Sequence, residues 1–167
     1  KEKKNSNLFA FENHLTKKFN IKFNKSYKNL LEWSIKNSPD FWSTFWDFSK
    51  TKGIKSKKKI RKSKNFYKNI FLPGTKLNFG QNLLSKNNDE KAITFISENG
   101  FREIRSWKKL NLNTASIIQF LKQIKIVKGD RVAAYMPNCI ETVEAFLATT
   151  SIGGIWSSCS PDFGANG

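Results

Sequence analysis

One histidine, His14, and two cysteines, Cys139 and Cys159, are the only side chains of their kinds in the 167 residues. No partner for His14 is visible nearby, so it reads as a surface or packed histidine, and one histidine builds no metal cluster. Two cysteines make no disulfide framework. Cys159 resembles a nucleophile only until a base is sought: no histidine is placed to activate it, and a small buried side chain is expected instead. The chain has no G-x-x-x-x-G-K-[ST] element and no Ser/Thr/Gly-rich phosphate loop with a lysine. We therefore expect no catalytic residue and no metal ligand. One loop is placed to meet a ligand. Residues 160–164 follow a candidate strand at its carboxyl end, the side on which open α/β sheets bind ligands. The competing reading is a structural turn, with Pro161 fixing φ and Phe163 packed inward.

That loop is positioned by the stretch from Lys128 to Gly164. Gly129-Asp130 makes a turn, residues 131–136 form a β-rich run, and Pro137-Asn138 breaks it. Asn138 is placed to cap a helix, with Glu141 completing a capping box. Glu141 and Glu144 put negative charge in the first turns, where the helix dipole favours it. Val143, Phe146, Leu147 and Thr150 recur at helical spacing and predict the buried stripe. Gly153-Gly154 stops the helix, and residues 155–159 read as a second strand. Strand, helix and strand this close together predict a right-handed βαβ unit with parallel strands. The fold class is α/β.

Upstream, residues 6–19 predict a helix with Leu8, Phe11, Leu15 and Phe19 on one face. Residues 26–37 predict a second, with Leu30, Trp33 and Leu31 inward. Ser38-Pro39-Asp40 reads as a helix start with serine as the cap. The aromatic residues Phe41, Trp42, Phe45, Trp46 and Phe48 follow; they suit a core or docking face, or else a stacking platform for bases. Residues 50–64 hold nine basic side chains out of fifteen and no acid. They read as a solvated loop, with polyanion binding as the alternative. Pro73-Gly74 marks a turn, and Asn78 starts a short helix carrying Leu83 and Leu84. Residues 92–97 and 101–105 predict a hairpin about Glu98-Asn99-Gly100. Ser106 then caps a helix with Trp107, Leu110, Thr114, Ile117, Ile118, Leu121 and Ile124 on one face.

GDRVAAYMPN, a short helix and GGIWSSCSPDFG together resemble the first βαβ of the adenylate-forming acyl-CoA synthetase superfamily. The ending SSCSPDFG is similar to the branch that activates acetoacetate; the acetate-activating branch has a glycine pair where this chain has Pro161-Asp162. SYKNLLEWSIKNSPDFWSTFWDF is similar to the N-terminal helical cap of that same branch, and FLPGTKLNFGQNLL to a further family element, from which Gly80 and Gln81 depart where alanine and glutamate are usual. These departures weaken a helix slightly but touch no catalytic group, so they leave the resemblance in place. By this resemblance, residues 1–84 are a helical cap and residues 85–167 the start of an AMP-binding domain, incomplete here. The resemblance implies ATP, Mg²⁺ and coenzyme A as cofactors of the full-length enzyme. It also implies a small-molecule partner, acetoacetate or another short carboxylic acid, and a role for Asp162 and Phe163 beside the coenzyme A channel. The family's adenine-binding motif, hinge and C-terminal lysine are not in these residues, so the 167 residues alone are expected to be inactive. Acetyl-CoA or another short-chain acyl-CoA synthetase is the alternative within the family.

Length suits one ordinary core. The chain begins with Lys1 and stops at Gly167 just after a strand, and it reads as part of a longer protein. A net charge of +17 and pI near 10.0 raise a different class, a small basic nucleic-acid-binding module. The same excess follows from AT-rich coding, which favours Lys, Asn, Ile and Phe. Lysine also far outnumbers arginine, the residue suited to base readout. No specific nucleic-acid partner and no membrane partner are therefore expected; no apolar run is long enough to span a bilayer. KEKKNSNLF lacks the apolar segment of a signal peptide, and a reducing cytoplasm is the expected compartment. Oligomeric state is not legible in these residues.

Overall fold

The computed structural model describes residues 6–24 and 26–166. Residues 1–5 and Gly167, on which the signal-peptide and chain-end readings rest, lie outside the described residues. The chain divides into two units, Lys1–Leu77 and Asn78–Gly167.

In the first unit, α1 (Asn7–Phe19) is capped by Ser6, whose hydroxyl accepts from Phe9 N at 3.2 Å. Ser26 caps α2 (Tyr27–Lys36) in the same way, accepting from Asn29 N at 3.3 Å. The third helix, α3 (Ser38–Phe48), starts one residue earlier than the serine cap predicts: Asn37 is its cap. Asn37 closes α2 by donating its N–H to Trp33 O at 2.8 Å, and its carbonyl accepts from Asp40 N and Phe41 N. A residue already fixed by the end of one helix thus begins the next, and Ser38 becomes helical. Phe11, Leu15, Phe23 and Leu30 form the core, with Phe19, Trp33, Phe41 and Phe48 packed on it. Phe11 is the hub, with Phe41, Phe45 and Phe48 ring centroids at 5.6, 5.6 and 4.9 Å. Of the aromatic run, Phe41 and Phe48 pack on this core, while Trp42 and Phe45 are 43% and 42% exposed. Leu8 and Leu31, expected inward, are exposed.

The basic stretch is solvated and mostly irregular, and two short ladders pin it. β1 (Gly53–Ile54), β2 (Ile60–Arg61), β3 (Ile70–Phe71) and β4 (Lys76–Leu77) make two short antiparallel ladders, β1 with β4 and β2 with β3. Between β3 and β4, Thr75 N donates to Leu72 O at 3.0 Å across the Pro73-Gly74 turn. Lys55 bonds Asp47 Oδ1 at 2.7 Å and Lys59 bonds Asp40, tying the ribbon to α3.

The second unit opens with α4 (Phe79–Leu83). Asn78 caps it, accepting from Gln81 N at 2.8 Å, and its amide nitrogen donates to Thr150 O and Ser151 O at 3.1 and 2.9 Å. The hairpin of β5 (Lys91–Ile96) and β6 (Arg102–Ser106) turns at Gly100, whose φ of 84° is the left-handed conformation that glycine adopts without strain. Ser106 caps α5 (Trp107–Gln123), of which Leu110, Thr114 and Leu121 are buried and Ile124, beyond the last turn, is exposed. β7 (Arg131–Tyr135) and β8 (Ile155–Cys159) run parallel in register from Arg131 opposite Ile155 to Tyr135 opposite Cys159. Between them α6 (Ile140–Ser151) completes the crossover. Its C-terminus is a Schellman motif: Gly154 N donates to Thr149 O at 2.9 Å and Gly153 N to Thr150 O at 3.1 Å.

The start of α6 departs from expectation. Cys139, not Asn138, is the cap, and its side chain makes no cap bond, its thiol lying 3.3 Å from Thr142 Oγ1 instead. Cys139 N turns back to Pro137 O at 3.0 Å, which moves the helix one residue onward and leaves no capping box. The buried residues are Ile140, Glu144, Leu147, Ala148 and Thr149, whereas Val143, Phe146 and Thr150 are half-buried. The reason is that α6 is covered on several sides: α5, α4 and β8 all pack against it, and Phe146 meets Phe79 and Trp156 at 5.6 and 6.2 Å.

Asn78 serves both ends of this arrangement, so Asn78→Ala is expected to cost about 2 kcal/mol, a cap plus partly buried bonds to helix-end carbonyls. A urea midpoint unchanged from the unsubstituted protein would sink that assignment.

Candidate functional site

The carboxyl ends of β7 and β8 bring two loops side by side. Met136 N donates to Cys159 O at 3.1 Å, extending the ladder by one bond. Beyond it, Pro161–Asn166 forms a 3-10 turn with Ser160 as its local organiser. The Ser160 hydroxyl donates to Asp162 Oδ2 at 2.8 Å, and its carbonyl accepts from Phe163 N at 3.2 Å. Tyr135, the last residue of β7, donates its hydroxyl to Pro161 O at 3.0 Å and so pins the turn to the neighbouring strand. Asp162 is exposed with its carboxylate turned to Ser160. The Phe163 ring is 68% exposed, so the inward packing of the structural-turn reading is not what the structure has. Together these place an acid and an aromatic ring at the mouth of the parallel pair.

Along β7 the burial alternates, with Val132 and Ala134 half-buried and Ala133 and Tyr135 exposed; along β8 Trp156 and Cys159 are half-buried and Ile155, Ser157 and Ser158 exposed. The β strands line a shallow hollow of about 370 Å³ floored by Ala133, Tyr135, Ser157 and Cys159.

The other candidates do not gather into a catalytic group. His14 is exposed on α1 beside Phe48, ring centroids 5.7 Å apart. Cys139 and Cys159 are free, each half-buried rather than fully buried; the Cys159 thiol lies 3.5 Å from Ser160 O. Among the described residues no three metal-ligating side chains come together.

A charged cluster that sequence reasoning missed lies behind the crossover. Arg105 of β6 reaches Glu103 and Glu141 through Nη2 at 3.0 and 3.3 Å, and its Nε lies 3.0 Å from Glu144 Oε1. That last contact is an ion-pair distance without the alignment of a hydrogen bond. Asn113 of α5 donates to the same Glu144 oxygen at 2.9 Å. Glu144, expected as a first-turn charge favoured by the helix dipole, is buried, with 4% of its side chain exposed. Burial pushes its carboxyl up from the ordinary value. Asn113 and Arg105 pull it back, while Glu141 and Glu103 push it further up. The signal was present in the sequence: an acid four residues after Ile140 falls on the apolar face of α6. The cluster holds β6, α5 and α6 together, and it contains no nucleophile.

The family model described as AMP-binding enzyme matches residues 81–167. An acetoacetyl-CoA synthetase of Xenopus tropicalis is 36% identical over 172 residues, covering 99% of this chain and 25% of that protein. One of Rhizobium meliloti (strain 1021) is 38% identical over 141 residues, covering 84% and 22%. A malonamoyl-CoA synthetase of Penicillium aethiopicum is 29% identical over 98% of the chain and 24% of its own length. Among solved structures, the acetoacetyl-CoA synthetase from Streptomyces lividans matches with a TM-score of 0.88 at 26% identity, over 98% of this chain and 26% of that one. The chain thus spans about a quarter of the length of these relatives.

Proposed function

The chain belongs to the AMP-binding enzyme family, and on that footing we propose that it forms the N-terminal part of an ATP-dependent carboxylate–CoA ligase whose acid is acetoacetate. The observation that carries this reading is where the likeness extends. The family model begins only at residue 81, but the likeness to acetoacetyl-CoA synthetases also takes in the helical first unit and so almost the whole chain. A first unit shared with that branch favours its substrate over acetate. The malonamoyl-CoA synthetase likeness points the same way, because acetoacetate and malonamate are isosteric: each carries a carbonyl β to the carboxylate, ending in methyl or in amide nitrogen.

In such a ligase a carboxylate oxygen attacks the α-phosphorus of ATP and pyrophosphate leaves; the coenzyme A thiol then attacks the acyl carbon, loses its proton, and AMP leaves. The residues of this chain hold and orient. The β7–α6–β8 crossover fixes the loop at residues 160–164, Tyr135 and Ser160 set its path, and Asp162 with Phe163 flank the approach of coenzyme A. The described residues do not fit a Mg²⁺ site, since no ligand cluster forms among them, and no step is assigned to a metal here. A reducing cytoplasm is the compartment consistent with two unpaired thiols.

The test is acetoacetate-dependent pyrophosphate release and CoA-thioester formation by the full-length polypeptide. Acetate should be at least about tenfold worse by kcat/KM, the low end of the discrimination that contacts to a small missing group supply. Phe163→Ala should raise KM for coenzyme A and leave pyrophosphate release unchanged, and residues 1–167 alone should release none. Acetate turned over as well as acetoacetate would refute the substrate assignment.

A further inference from the structure

Residues 48–77 hold eleven lysines and arginines and no acid, whereas the other 137 residues hold 19 basic and 13 acidic side chains. Eleven of the seventeen net positive charges therefore fall in thirty residues. A lysine excess set by coding composition alone would spread along the chain, and this one does not. The stretch is also built. Two antiparallel ladders fold it back on itself, and Lys55 and Lys59 anchor it to Asp47 and Asp40. Lys57, Lys58, Lys62 and Lys64 are exposed and have no carboxylate partner among the described residues. Apolar side chains stand among them: Tyr67 is 92% exposed and Ile54 70%.

The geometry points to this ribbon, residues 53–77, as a peripheral docking surface for anionic phospholipid headgroups. The choice of partner follows from the residue types. Lysine is a compact, hydrated point charge that suits a diffuse anionic surface, and it lacks the planar fork with which arginine grips a phosphate pair or reads a guanine edge. Only one arginine, Arg61, is present in the ribbon. A tyrosine ring and an aliphatic side chain among lysines have a place at the headgroup level of a leaflet, whereas a single-stranded nucleic acid needs several rings in succession. The proposal departs from the expectation of no membrane partner. That expectation rested on spanning segments, and among the described residues no helix is long and apolar enough to cross a bilayer. A surface contact needs none.

The experiment is co-sedimentation of the full-length polypeptide with vesicles of phosphatidylglycerol mixed into phosphatidylcholine, and with vesicles of phosphatidylcholine alone. Binding is expected only to the former, and it should weaken as salt is raised. The variant combining Lys57→Glu, Lys58→Glu, Lys62→Glu and Lys64→Glu should keep its thermal midpoint and bind at least ~100-fold more weakly, at roughly fivefold for each charge near the surface. Absence of binding, equal binding to neutral vesicles, an indifferent variant, or release from vesicles by duplex DNA at equal phosphate would each overturn the proposal.

Discussion

Arg105→Met is expected to destabilise the protein by about 3–5 kcal/mol, the scale for removing one partner of a buried ion pair. Arg105 is 13% exposed and is the cation that faces Glu103, Glu141 and Glu144. Without it three carboxylates converge, one of them buried. Glu144→Gln should do the opposite at neutral pH, remaining neutral or slightly stabilising, because Arg105 keeps two acids and Asn113 keeps an oxygen to bond. Glu144 has a native pKa raised above 4.5, so its folded form binds the proton more tightly than the unfolded chain. Its contribution is most favourable below the unfolded value and is lost as pH rises through the native one. The relative gain of Glu144→Gln should therefore grow with rising pH and vanish in acid. Urea midpoints across that range decide it; a gain largest in acid would show that the sign is wrong. Should Arg105→Met fail to fold, the glutamine variant still carries the test.

Gly80→Val is the second large effect, about 3 kcal/mol or more from overpacking. A Cβ at Gly80 would lie 2.2 Å from Ser151 Oγ and 3.0 Å from both Leu147 O and Ser151 N. The hydroxyl can rotate away; the two backbone atoms cannot. Gly80→Ala should cost less and be partly relieved by Ser151→Gly, since that change removes the nearest atom, and contacting residues couple. A double variant no better than the sum of its parts would remove the contact from the explanation. The family's usual alanine at this position reads, on helix propensity, as a mild difference. In this chain the glycine is instead what allows α4 to lie against α6.

What was legible in the residues was what local chemistry alone decides. Ser106 caps the helix it precedes and Asn78 opens α4, while Ser6 and Ser26, read as the first helical residues, are the caps just outside α1 and α2. Asn99-Gly100 turns its hairpin, and Gly153-Gly154 ends α6. Each of those elements needs only its own side chains and a backbone conformation to be fixed. The errors came where two elements compete for one residue or where a helix has more than one neighbour. Asn37 was claimed by α2 before Ser38 had any role as a cap. The face of α6 was misjudged because Phe146 and Ile140 are covered from different sides, so a single stripe does not describe it. The burial of Glu144 was not legible from its place in the first turns, because its partner, Arg105, lies 39 positions earlier in a hairpin. The candidate loop at Ser160 was legible as a place, from strand polarity. The bond from Tyr135 that holds it was not, since no spacing rule links a strand-end tyrosine to a carbonyl across the crossover.

The two-stranded β7–β8 ladder has a further consequence for anyone handling this polypeptide. Among the described residues neither strand has a second neighbour, and Ile155 and Tyr135 stand exposed on the bare side. Amides and carbonyls at such a rim accept any extended segment in reach, including the same segment from another molecule. At the concentrations of overexpression, the 167 residues alone are expected to form insoluble β-rich deposits in competition with the native state. A charged substitution on that rim is a more direct remedy than further stabilising the helices.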